Sequence, residues 1–216
     1  MTVQQVINMA KASELNALAV KDDDNVILEM INLGLIELYK RFPLKVDEAI
    51  ITLVDGRDVY SLDGNDANVQ MGNTDYMSIV AAYGEVNVYD LSIGEVKELP
   101  INEEDNILSV NTVGWNSVQV PASLSGNYVS IIYTAAPKYL TIADISDSIP
   151  VPPQMVEALL HYVGYRAHSA VDGEINSENT THYTRFEASC NRVLALGLFG
   201  QDDMYMTNRV KDRGFV

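Results

Sequence analysis

Three histidines, one cysteine and a few acidic runs are the side chains in this 216-residue chain whose types could support chemistry. His161 and His168 lie seven residues apart, which on a helix puts them on one side but two turns apart. They cannot share a metal ion without a third element, and with His182 they read as surface or helix-contact histidines. Cys190 falls at helical spacing between Phe186 and Leu194, the position of a buried, inert thiol rather than a nucleophile. A single cysteine allows no internal disulfide, which suits a reducing compartment. Asp22-Asp23-Asp24 lacks the alternating oxygen ligands, mid-loop glycine and distal glutamate of a calcium loop, so it reads as a helix cap with solvated charge. Glu103-Glu104-Asp105 reads as a solvated loop. The sequence contains neither a glycine-rich phosphate loop nor a G-x-S-x-G elbow. The expectation is a protein with no catalytic residues, no cofactor and no metal site, and not an enzyme.

The elements that carry these residues belong to an ordinary globular composition, 47% hydrophobic and 20% charged. No run of about 20 apolar residues is present, so no membrane span is expected. The first residues lack the basic-then-apolar pattern of a secretory leader. The net charge of −16 argues against gripping nucleic acid by its phosphates. Residues 45–149 hold 4 basic and 16 acidic residues and so carry most of that excess. The imbalance separates a middle module from its flanks.

Hydrophobic period divides the chain in the same places. Val3, Val6, Ile7, Ala10, Glu14 and Leu18 fall on one helical side. After a break at Lys21–Asn25, with Asp24 as the candidate N-cap, Ile27, Leu28, Ile31, Leu35, Leu38, Tyr39 and Phe42 make a broad stripe that Pro43 stops. Residues 49–54 and 57–62 then read as a hairpin across Asp55-Gly56, the composition of a type I′ turn. Further strands are expected at 76–83, 86–91, 107–113, 117–120 and 128–134. Helical spacing returns after the prolines at 150, 152 and 153. One helix carries Met155, Leu159, Tyr162 and Val163; the next starts at Asn176 or Ser177, carries Tyr183, Phe186, Cys190, Val193 and Leu194, and closes at Gly200. The fold class is α+β: an antiparallel bundle of about four helices (1–44 and 150–200), an inserted acidic antiparallel β module (45–149) and an extended C-terminal tail (201–216). The tail mixes the apolar Tyr205, Met206 and Phe215 with Arg209, Lys211 and Arg213, a composition suited to ordering against a partner.

Four stretches together resemble the head-to-tail adaptor, or connector, proteins of tailed bacteriophages, especially the short-tailed ones. They are Ile31–Lys45; Val129–Pro137 followed by Ile149–Pro153; Ala158–His168 running on to His182–Ala188; and the ending Asn208–Val216. The resemblance implies a virion protein of the neck, assembled in the host cytoplasm, whose helices close a dodecameric ring beneath the portal protein. It further implies that residues 205–216 reach into the portal, with Tyr205, Met206, Arg209, Lys211, Arg213 and Phe215 as contacts. The β module would meet the tail tube or nozzle protein and tail fibres, and double-stranded DNA would pass without specific binding.

The alternative is a tail-associated β module, carried on a helical base, that binds a receptor or protein. It requires exposed aromatics at loop tips, with Trp115, Tyr89 and Tyr76 as candidates, whereas the ordinary expectation for Trp115 is packing within a sheet. A third reading, an enzyme using acidic residues, requires a deep pocket holding shifted carboxylates.

Overall fold

A computed structural model describes residues 1–72, 74–86, 95–124, 128–172 and 177–197. Two compact units emerge, Met1–Phe42 with Pro137–Gly200, and Pro43–Ala136. The first is helical and the second is built of strands.

Helix α1 (Val3–Ala12) begins with a capping box. Gln5 N–H donates to Thr2 Oγ1 (3.3 Å) and Thr2 N–H donates to Gln5 Oε1 (2.9 Å), which satisfies two amides that a helix start leaves open. Val3, Val6, Ile7 and Ala10 are fully buried along its inner face. The helix ends earlier than its stripe suggests. The Ser13 hydroxyl donates to the Met9 carbonyl (2.8 Å), and residues 14–18 form turns in which Leu15, not Leu18, is buried. Side-chain bonding to the i−4 carbonyl is how serine competes with a continuing helix.

The N-cap of α2 (Asp24–Arg41) is Asp23 rather than Asp24. Its Oδ1 accepts from the N–H groups of Asn25 (3.0 Å) and Val26 (3.2 Å). Asp24 instead pairs with Lys11 at 2.5 Å. Helix α2 buries a broad surface that includes Asn32 and Gly34. A Cβ at Gly34 would stand 2.6 Å from Leu159 Cδ1 and 3.1 Å from Tyr162 Cδ1, so the glycine sets how closely α2 approaches the third helix.

That helix, α3 (Val156–Asp172), touches α1, α2 and α4 (Ser177–Ala195). Helix α4 buries Phe186, Ser189, Cys190 and Val193, whereas Tyr183 and Leu194 are exposed. Gly197, with φ of 63°, follows its end as a left-handed cap; Gly200 lies outside the described residues. Helices α2 and α4 are joined by Arg41, which donates to both carboxylate oxygens of Glu187 (2.7 and 2.6 Å). Its guanidinium also lies 4.6 Å from the Phe186 ring centre. This contact lowers the Glu187 carboxyl below its ordinary range, chiefly by hydrogen bonding, against the opposing effect of burial.

Residues 137–150 pack with the helices, so the compact β unit ends at Ala136 rather than at the charge boundary of 149. Asn32 holds this strap from inside the unit. Its Nδ2 donates to the Leu140 carbonyl and its Oδ1 accepts from the Leu140 N–H, both at 2.9 Å. The Tyr39 hydroxyl donates to the Pro150 carbonyl (2.8 Å). Val3 N–H donates to Asp147, Gln4 N–H to Ile145, and Ile149 N–H to Met1, tying the strap to the chain's start.

In the β unit the strands are β1 (Val46–Thr52), β2 (Val59–Ser61), β3 (Val69–Met71), β4 (Tyr76–Val86), β5 (Glu95–Leu99), β6 (Asn111–Gly114), β7 (Ser117–Gln119) and β8 (Tyr128–Ala135). They form an antiparallel five-stranded sheet, β3-β1-β8-β4-β5, and an antiparallel three-stranded sheet, β2-β7-β6. One apolar cluster draws on both, with Ala49, Ile51, Val129, Ile131 and Tyr133 from the larger sheet and Tyr60 and Val118 from the smaller. Strand β8 shows the clean alternation of a one-face-in strand, burying Val129, Ile131, Tyr133 and Ala135. The strand expected at 86–91 falls mostly on residues outside those described.

The Asp55-Gly56 hairpin does not form. A turn is present, with Arg57 N–H donating to the Val54 carbonyl (3.0 Å), but only Gly56 has positive φ (76°). A type I′ turn needs positive φ at both central residues, and a type I or II turn splays the strands it joins. β1 therefore pairs with β3 and β8, and β2 with β7. Asp66 fixes the departing segment. It accepts from both terminal nitrogens of Arg57 and from the N–H groups of Ser61 (3.2 Å) and Asn68 (3.1 Å).

Asn32→Ala strands a buried donor and a buried acceptor on Leu140, and should cost about 2–4 kcal/mol. Urea unfolding should show a lower midpoint at unchanged slope. Because Glu187 titrates below its ordinary value of 4.5 in the folded protein, its stabilisation is full above that pH and is lost as pH falls below it. Glu187→Gln should therefore flatten the decline in stability on acidification, and Arg41→Lys, which cannot make the bidentate contact, should cost about 1 kcal/mol.

Candidate functional site

The six tail residues assigned as portal contacts, Tyr205, Met206, Arg209, Lys211, Arg213 and Phe215, lie outside the described residues. The described units present two other features that bear on function.

The first is a polar cluster inside the helical unit. Burial of Leu15 turns the chain so that Glu14 sits beside α3 and α4. Glu14 Oε1 is 3.2 Å from His161 Nδ1 and Glu14 Oε2 is 2.9 Å from His182 Nδ1, with all three side chains about 12–15% exposed. The His168 ring stacks on His182, centroids 4.8 Å apart and planes 19° apart. His182 holds its proton less readily than a free histidine. Burial is the main cause; Glu14 works against it, and His168, Arg185 and His161 add to it. Helix spacing could relate His161 to His168, but not to His182 on another helix or to Glu14 in a turn. The structure thus joins His161 to His182 rather than to His168 as ligand neighbours, and supplies a third residue that the apolar stripe had placed among packing positions.

The other candidate chemical groups serve local structure. Cys190 is buried and its thiol is pushed up in pKa by burial. Asp23 caps α2 and Asp24 pairs with Lys11. Glu103 accepts from Asn106 Nδ2 (3.0 Å) within its own turn. An open depression of about 460 Å³ in the β unit is lined by Leu53, Val54, Asp55–Asp58 and Val120–Ala122 with Leu124, with no histidine or cysteine among them.

The second feature is exposed apolar surface. Trp115 occupies the two-residue turn between β6 and β7 and is 83% exposed, which overturns its expected place inside a sheet. The inward positions near this hairpin are taken by Val110, Val118 and Val120, leaving the turn residue outside. Val113, two residues before it, and Ile107 are also exposed. Of the other aromatics considered with Trp115, Tyr76 is buried against Tyr133, with ring centres 5.8 Å apart, and Tyr89 lies outside the described residues. On the helical unit Met9, Val26, Leu33, Tyr183, Leu194 and Leu196 are exposed.

If Trp115 contributes surface rather than core, Trp115→Ser should leave the unfolding midpoint within the range of ordinary surface substitutions, about 0.5 kcal/mol. A cost of several kcal/mol, as for a buried tryptophan, would contradict that placement.

No curated protein matches the chain. A family model for the SU10 adaptor protein does match, over residues 1–211. With nearly every residue of both units inside that match, the chain belongs to the SU10 adaptor protein family, a family of bacteriophage head-to-tail adaptors.

Proposed function

We propose that this phage adaptor is a ring-forming component of the virion neck, seated between the portal and the tail of a short-tailed phage, through which DNA passes. The near-complete family match carries the reading. The helical unit is the ring former in this proposal. Cyclic rings join two different faces of each subunit, and Met9, Val26, Leu33, Leu194 and Leu196 leave apolar surface on this unit for such contacts. The net charge of −16 supports passage without capture, since a surface poor in cations makes few phosphate contacts. Residues 201–216 are the portal contact, through Tyr205, Met206, Arg209, Lys211, Arg213 and Phe215. The dodecameric ring is the form that a portal template would select.

Exposure of Trp115 favours a further assignment for the β unit. A solvent-facing tryptophan on a two-residue turn is a ready anchor for another protein, and we assign it to the tail tube or nozzle protein, with tail fibres as a further neighbour. In the competing reading the same residue would contact a host receptor.

The test mixes purified protein with its portal and examines the product by native mass spectrometry and negative-stain imaging. Stacked rings are expected, and a chain lacking residues 201–216 should fail to stack while remaining folded by circular dichroism. Normal joining of the truncated chain would show the tail assignment to be wrong. Failure of the intact chain to join any portal ring would remove the adaptor placement itself.

A further inference from the structure

We propose that Glu14, His161 and His182 form a binding site for a divalent transition-metal cation of the zinc class, held at the junction of the turn after α1 with α3 and α4. The site stands apart from the ring and tail assignments and lies wholly within the helical unit.

Geometry is the first argument. One ligand atom from each of the three side chains can be chosen so that all lie within 4.8 Å of one another. Glu14 Oε1 to His161 Nδ1 is 3.2 Å and Glu14 Oε2 to His182 Nδ1 is 2.9 Å. A tetrahedral zinc ion with bonds of about 2.0–2.1 Å holds its ligand atoms about 3.3 Å apart; the two Glu14 contacts are near that spacing through different carboxylate oxygens, and the remaining separations, within 4.8 Å, close by side-chain rotation as the ion binds.

The second argument is what the cluster leaves undone. Both Nδ1 atoms are buried, and neither makes a hydrogen bond despite its closeness to the carboxylate. Buried polar nitrogens in native proteins are normally satisfied. A cation placed among the three groups accepts both nitrogen lone pairs and an oxygen without requiring a collinear N–H···O.

Gly164 is the third. It lies one turn beyond His161 on α3, and a Cβ there would stand 2.8 Å from His182 Nδ1 and 3.1 Å from Glu14 Oε2. A glycine inside a helix costs about 1 kcal/mol relative to alanine. At this position the helix carries that cost where it keeps the surroundings of two ligand atoms clear. The surroundings also resemble a supporting shell. His168 stacks on the His182 ring and fixes its plane, and Glu157 Oε1 approaches His161 Nε2 at 3.9 Å.

Two imidazoles and a carboxylate suit zinc, cobalt or nickel better than calcium or magnesium, which prefer all-oxygen sets. Three protein ligands leave a fourth position for water. The ion would fasten the turn after α1 to the α3–α4 pair.

The test uses the full-length, tag-free protein, stripped with chelator and desalted, and titrated with zinc chloride in a calorimeter. One zinc per chain and a rise in melting temperature are expected. Glu14→Gln and His182→Ala should each weaken zinc binding by more than about tenfold, and Cys190→Ser should bind as the unaltered chain does. Cobalt provides a readout independent of whether the variants fold. The unaltered protein should give the intense visible absorption of four-coordinate cobalt, bleached by zinc. Absence of that absorption, zinc binding no tighter than to the folded Glu14→Gln chain, or equal thermal stabilisation by magnesium would overturn the assignment.

Discussion

The helical unit is assembled from two stretches of chain with the whole β unit between them, so its stability rests on one long-range event, the burial of α3 against α1 and α2. Bringing distant segments together costs loop-closure entropy before any contact repays it. The repayment is concentrated where α2 meets α3. Gly34 lets Leu159 and Tyr162 come close, and Leu35, Leu38, Leu159 and Val163 are sealed from solvent. Once α3 is seated, α4 follows it along the chain and Arg41 secures it from α2. The strap at 137–150 depends on the same seating, because Asn32, which binds Leu140, is itself on α2.

Sequence pattern reaches the parts of this design that are periodic. The four helices are visible because apolar residues recur with the helical period, and α2 is the clearest because its stripe is wide. β4, β7 and β8 are visible because β-branched and aromatic residues run between glycine and asparagine breaks. What escapes is set by tertiary context. Asn32 looks like an ordinary polar position on α2, yet it is buried because Leu140 offers it an amide to read. Asp55-Gly56 carries the composition of a hairpin turn, but composition does not fix the sign of φ at Asp55, and that sign decides whether the strands pair or part. Trp115 shows the same limit in reverse: size and hydrophobicity favour burial, while its place on a two-residue turn puts it in solvent.

The polar cluster was out of reach for a related reason. Its members come from a turn, α3 and α4, and no spacing within one element links them. Glu14 was hidden by its own position in the heptad-like run of α1, where continuing the helix would have placed it on the packing face. Ser13 ends the helix one residue earlier and turns Glu14 toward the two histidines. Gly164 is the signal that sequence did offer. A glycine in the middle of an otherwise well-formed helix asks what needs its missing Cβ, and the answer here is the Glu14–His182 contact.

Charge is divided between the units in a way that bears on assembly. Residues 43–136 hold 3 basic and 14 acidic residues, so the β unit carries most of the chain's net charge of −16. Like-charged surfaces brought together at a repeated interface repel, and repulsion rises with every copy added. The proposed ring contact is therefore better suited to the helical unit, where several acids are paired: Asp24 with Lys11, Glu187 with Arg41, Glu157 with Arg192 and Asp144 with Lys138. If the β unit makes the proposed tail contact, Trp115 and its exposed neighbour Val113 are the apolar surface it brings to that contact.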